Sequence, residues 1–288
     1  NLNLDAARTD LENITQQVTL GIKQAYYEAL RTWRARDISA ETVKQFEKHL
    51  ETAKGLFEAG AKPIFDVTKA EVDLSNARVN LLKAENAVVI AMVSMNNAMG
   101  MPEAPPYDLE DDIAHEKNVL DLSESLKKAY QSRPDLQSLL IKKVAAKKSL
   151  ELAEKDYLPT LSGNASYGWS GEDFPLEKGW NIGASLNLSL FTGFLTKHQI
   201  KEAAANLSVT QANEEALRQA IRLEIEKASA NLQEADKRIA AAEIIVRQAG
   251  ENLDLAQGRY AAGVGSPLEV TDALVAQGNA KITLTGAI

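Results

Sequence analysis

Side chains able to do chemistry are sparse in this sequence. The 288 residues include no cysteine, which excludes a disulfide framework, a thiolate metal site and a cysteine nucleophile. The three histidines, His49, His115 and His198, stand far apart with no ligand-like spacing, and each is expected at the surface. There is no nucleophile–base pair, no metal-ligand spacing and no phosphate loop. No catalytic residue, cofactor or metal is therefore expected, and the chain does not read as an enzyme. Tyr157, Trp169 and Trp180 suggest a ligand pocket, but aromatic residues girdling strands account for them better. What remains is a set of acids beside two interruptions, Asp66 in EAGAKPIFDV and Glu269 in AAGVGSPLEV. Their simplest chemistry is electrostatic, because a carboxylate in the first turn of a helix complements its macrodipole.

Those interruptions are helix-to-helix turns. Gly60 and Gly263 suit the left-handed residue that follows a helix. Ser266 can cap the next helix, Pro267 fits its first position, and Glu269 completes a capping box. Pro63 and Asp66 serve the first turn similarly. The two turns are copies of one another. Residues 53–78 align without a gap on residues 256–281, with Gly55/Gly258, Gly60/Gly263, Val67/Val270 and Thr68/Thr271 among the identities. The sequence is thus a tandem duplication of a helix–turn–helix unit.

The helices feeding the turns are long. From Ile225 an apolar stripe runs through Ala228, Leu232, Ala235, Ile239, Ala242, Val246, Ala249, Leu253, Ala256 and Tyr260, a heptad seam alternating large and small residues. No proline interrupts 204–262, and such a helix would be on the order of 90 Å long. That length belongs to a coiled coil, stalk or tube rather than a compact domain. The same register in the first unit has a polar middle, which predicts looser packing or a bend around 32–39.

The organisation that follows is a first helical hairpin over 1–100 with its turn at 60–65, and a Pro-rich acidic linker over 101–120. Short helices cover 121–158, a β-hairpin 159–192, and a second helical hairpin 193–288 with its turn at 262–267. A net charge of -8 without a dense basic patch excludes nucleic acid as a partner. No apolar run approaches the ~20 residues of a membrane helix. Both ends read as cuts through a larger protein.

The β-hairpin is the exception in a helical sequence. WNIGASLNLSLF places Trp180, Ile182, Ala184, Leu186, Leu188 and Leu190 on one side, with Asn, Ser and Gly on the other. LSGNASYGWS alternates likewise, with Leu161, Tyr167 and Trp169 on its apolar side. A lone two-stranded hairpin is marginal in water. Roughly 40 Å of extended chain crosses a bilayer at a barrel tilt. Lipid forbids unpaired edges, so there the strands would have to join others in a closed barrel. A hairpin packed on a soluble helical core fits the same pattern.

The order of these features resembles one family, the TolC-like outer membrane efflux proteins (outer membrane factors). The matching pieces are the twin turns, SRPDLQSL, DYLPTLSGNASYG, and LNLSLFTGF leading to IKEAAANL. The resemblance implies a mainly α fold whose long antiparallel helical hairpins wall a coiled-coil tunnel. It implies that 121–158 are equatorial-type helices and that the β-hairpin belongs to a trimeric outer-membrane β-barrel. Tyr167, Trp169, Trp180, Ile182, Leu186, Leu188 and Leu190 would then face outer-membrane lipid. By the same comparison the chain is a truncated fragment, lacking a signal peptide, a first helix, a first strand pair and the end of its last helix.

Functionally, the resemblance implies an outer-membrane channel with a large periplasmic portion in a Gram-negative-type envelope. Such a channel is a homotrimeric, passive exit duct for small molecules or polypeptides in a tripartite efflux pump or type I secretion system. It works with a periplasmic adaptor and an inner-membrane pump. The turns become the periplasmic tip where the adaptor docks, carried by Gly60, Pro63, Phe65, Val67, Gly263, Ser266 and Val270. Asp66 and Tyr260 fall where a hydrogen bond helps hold the tip closed, and Glu269 and Asp272 where acids face the narrowed lumen. Gly265 stands where some members have an arginine that completes the lock, so here the lock is weaker or built otherwise. A soluble periplasmic coiled-coil adaptor or scaffold is the second reading. It explains the helices and turns but not the apolar hairpin.

Overall fold

A computed structural model describes residues 1–105, 107–111, 120–170 and 177–288. His115, part of the acidic linker and most of the loop joining the two strands lie outside the described residues. The chain divides into two compact units.

The larger unit, Ile14–Leu122 with Ile225–Ile288, is built among its described residues from four long helices. They are most of α1 (Leu2–Glu58), α2 (Ile64–Ala98), the later part of α5 (Leu195–Ala261), and α6 (Pro267–Ala287). Its core is the heptad seam made three-dimensional. Val43 and Phe46 of α1, Leu74 and Ala77 of α2, Leu253, Ala256 and Tyr260 of α5, and Val270, Ala273 and Leu274 of α6 form one buried cluster. Alanines between the large residues let neighbouring helices interdigitate, as knobs-into-holes packing requires. Farther along, Ala29 packs on Ala91 and Met95. The polar middle of α1 is accommodated locally: Thr32 is buried, and its hydroxyl donates to the Ala29 carbonyl at 2.8 Å.

The smaller unit, Asn1–Asn13 with Ser123–Glu224, contains nearly all of α3 (Leu122–Ser132) together with α4 (Pro134–Lys155) and the two strands. Pro134 opens α4, where its missing N–H costs nothing. Arg133 just before it forks onto Asp135 (2.8 Å) and Glu224 of α5 (2.6 Å). Burial pushes the Asp135 carboxyl up. The Arg133 guanidinium and the Leu136 amide more than reverse this, so it titrates below the ordinary carboxylate value.

Strands β1 (Thr160–Ser170) and β2 (Glu177–Asn187) pair antiparallel. Leu161 faces Leu186, Ala165 faces Ile182 and Tyr167 faces Trp180, so the apolar residues share one face. That face is exposed, with Trp180 and Ile182 each 74% accessible. Among the described residues the expected β-barrel is not found. The sheet has two strands among the described residues, in the order β1-β2, and is not closed. Each strand spends one edge on its partner, whereas a barrel needs every strand paired on both sides. The second strand also ends at Asn187, so Leu188 and Leu190 lie beyond the ladder rather than on it. Gly193 and Phe194 follow with positive φ (62° and 66°), reversing the chain into α5. The mainly α character with long helices stands. Among the described residues no helix is long and apolar enough to cross a membrane.

Candidate functional site

The two turns of the larger unit are built alike. After α1 the Gly60 amide donates to Phe57 O (2.9 Å), and the Ala61 and Lys62 amides to Leu56 O (2.8 and 3.3 Å). After α5 the Gly263 amide donates to Tyr260 O (3.0 Å), and the Val264 and Gly265 amides to Arg259 O (3.1 and 2.9 Å). Both glycines are left-handed, with φ of 72° and 79°. Outside the hydrogen-bonding pattern the turns differ. Ser266 caps α6 by accepting from the Leu268 amide at 3.1 Å, whereas Pro63 precedes α2 without a side-chain cap.

Asp66 and Tyr260 meet. The Tyr260 hydroxyl donates to Asp66 Oδ2 at 3.1 Å, and both residues are buried. Burial, then the Asp66 charge and the hydrogen bond itself, push the phenol up to about 12. Two turns along α2, Asp73 accepts from Lys69 (2.7 Å) and from Thr271 of α6 (2.8 Å), a second polar tie between repeats.

Glu269 and Asp272 do not join this cluster. Glu269 pairs with Arg259 at 3.2 Å, both side chains about half exposed, and Asp272 is exposed on α6. At that exposure the pair contributes little to stability. Val67 and Val270 point into the core, whereas Pro63 and Phe65 are exposed. Ile64, Val264 and Leu268 are exposed beside them and extend the apolar surface at the turns.

Three residues that matter here were not legible as site residues. His49 is a correction. It is not on the surface but 5% exposed, its ring 5.3 Å from that of Tyr260, and its Nε2 is buried without a hydrogen-bond partner among the described residues. It lines a cavity of about 190 Å³ with Lys48, Thr52, Gln257, Tyr260 and Val270. His198 is exposed. Lys62 of the first turn reaches the second turn, and Arg259 takes Glu269. None of the three carries a motif, since each acts on a partner about ten to two hundred residues away.

Gly265 explains why no arginine sits there. A Cβ at this position would stand 2.8 Å from Tyr260 N and 2.9 Å from Arg259 C, closer than real side chains approach backbone. Lys62 occupies the equivalent position of the first repeat, and its amide sits farther from its acceptor, 3.3 Å against 2.9 Å. Glycine therefore winds the second turn tighter than a side chain allows. Gly265→Ala is expected to loosen it at a cost of about 1 kcal/mol, read as a lower denaturation midpoint. An unchanged midpoint would remove this account.

The outer membrane efflux protein family matches residues 2–101 and 125–287, and the chain belongs to it. Outer membrane protein TolC of Vibrio cholerae is 25% identical over 273 residues, covering 90% of this chain and 61% of that protein. Protein CyaE of Bordetella pertussis is 26% identical over 274 residues, covering 93% and 58%. This chain therefore spans about three fifths of the length of these relatives. The crystal structure of the outer membrane protein VceC from Vibrio cholerae superposes with a TM-score of 0.83 at 20% identity, over 99% of this chain and 69% of that one. At that identity the likeness speaks for the fold.

Proposed function

We propose that the full-length protein is an outer-membrane channel. It serves as the passive exit duct of a tripartite efflux pump or type I secretion system, and it assembles as a homotrimer. The observation that carries this reading is family membership across both helical hairpins, with the two turns joined at one end by the buried Asp66–Tyr260 bond. A periplasmic adaptor is the proposed partner of that end, through the exposed Pro63, Phe65, Ile64, Val264 and Leu268. Gly60, Gly263 and Ser266 shape the turns, and Val67 and Val270 support them from beneath. The exposed apolar face of the two strands is assigned to outer-membrane lipid, and an inner-membrane pump completes the assembly.

Asp66 and Tyr260 hold the turn end closed in this reading, and Glu269 and Asp272 bias the path towards cations. Three copies of each acid give an anionic ring, with Arg259 offsetting part of the Glu269 charge. Glu269→Gln with Asp272→Asn is expected to lower cation preference in reversal-potential measurements, and unchanged selectivity removes the ring. The decisive experiment is reconstitution of the full-length protein in planar bilayers. Conductance is expected to rise in the Asp66→Ala, Tyr260→Phe double variant. Silence in both proteins overturns the channel.

A further inference from the structure

We propose that Lys62 is a positioning residue that ties the first turn to the second and limits how far the two can separate. The proposal rests on the channel reading only for its consequence, a closed turn end. The tie itself is geometric. Lys62 Nζ donates to the Gly265 carbonyl at 2.9 Å, reaches the Gly263 carbonyl at 3.4 Å, and lies 5.2 Å from the centre of the Tyr260 ring. One ammonium thus engages two main-chain oxygens and an aromatic face of the other repeat.

Four features make this more than a surface contact. Lys62 is half-buried, so its charge is partly removed from water and its bonds are stronger than those of an exposed lysine. Its target is the residue at its own position in the other repeat. Duplication gave two equivalent sites, and the chain has made them complementary: one bears a long cationic arm, the other no side chain at all. The tight winding that glycine permits at 265 also brings that segment directly beneath the last turn of α5, where Arg259 O collects the Val264 and Gly265 amides. A carbonyl whose own amide is thus engaged is held in place for an external donor. Lys62 also covers Tyr260 while the Tyr260 hydroxyl is bonded to Asp66, so the tie and the buried bond share one ring.

The test uses the full-length protein as wild type, Lys62→Met and Lys62→Arg. Methionine keeps an unbranched side chain and removes the charge, whereas arginine keeps charge and donors. Hydrogen exchange at the amides of 262–266 is expected to be about fivefold faster in Lys62→Met and restored in Lys62→Arg. Single-channel conductance in planar bilayers is expected to rise in Lys62→Met and return in Lys62→Arg. Unchanged exchange in Lys62→Met overturns the tie. Acceleration spread equally over 230–245 shows general destabilisation and overturns it too. Faster exchange confined to the turn with unchanged conductance overturns its role in closure. If no variant conducts, Asp66→Ala with Tyr260→Phe included, the channel reading fails, and exchange alone decides the tie.

Discussion

Tyr260→Phe is expected to destabilise the larger unit by about 2 kcal/mol. Tyr260 is 1% exposed and Asp66 4%, and a 3.1 Å bond joins them. Removing the hydroxyl leaves a carboxylate sealed from water with one donor fewer, and a buried acceptor without its donor costs more than the net worth of the bond. Asp66→Ala leaves the phenol in the same position, so each single change should be expensive. The double variant should cost less than the sum, because both changes remove one bond. A denaturation cycle over the four proteins measures that coupling, expected at about 1–2 kcal/mol. Additive costs would show that the two side chains merely adjoin.

The same pair sets an alkaline limit. The phenol titrates near 12 when folded against about 10 when unfolded. Between those values the native state holds a proton that the unfolded chain has released. The contribution is thus complete below pH 10 and is lost as pH rises towards 12. Ion-paired lysines such as Lys69 and Lys281 lose protons in the same window, so both proteins fall, and the Tyr260→Phe midpoint should fall less steeply than the wild type.

What the sequence makes legible is local. A heptad seam such as Leu253, Ala256 and Tyr260 needs only its own spacing to declare a helix and its buried side. Gly263 and Ser266-Pro267 act within a few residues, one through left-handed backbone and the other through a cap. The alternation from Trp180 to Leu186 declares a strand, but its continuation to Leu190 overruns the ladder, since pairing ends at Asn187. Closure of a sheet depends on strands that must come from elsewhere, and alternation within one hairpin carries no information about them. The site divides in the same way. Asp66 and Tyr260 draw attention through their place beside the turns. Lys62 and His49 look like ordinary surface residues, because what singles them out is a partner on another helix. For His49 the polar neighbours Lys48 and Glu47 in sequence suggest exposure, while the fold turns its ring inward against Tyr260.

That inward turn makes the larger unit acid-sensitive. Burial pushes the His49 imidazole below its ordinary value of 6.5. The charges of Asp73 and Asp66 on α2 oppose this and Lys69 adds to it, but burial prevails. Tyr260 faces the ring from α5 and is neutral at these pH values. Below pH 6.5 the unfolded chain takes up a proton that the native imidazole refuses, so the unfolded state binds more protons and stability falls with pH. The carboxylates held below their ordinary values, Glu28 and Asp135 among them, keep their contribution above those values, 4.5 and 3.8, and lose it only as pH falls further. The interval from pH 6.5 to pH 5 therefore isolates the histidine. Thermal midpoints of wild type, His49→Leu and His49→Gln across it are the measurement. The wild type is expected to fall on acidification, and both variants to remain level, whatever their stability at pH 7. A wild-type slope that persists in both variants would assign the sensitivity to another group. A level wild type would mean that His49 takes its proton in place, with Asp66 and Asp73 receiving it. In that case acid would strain the Asp66–Tyr260 bond instead of the fold, and conductance rather than the thermal midpoint would carry the pH dependence.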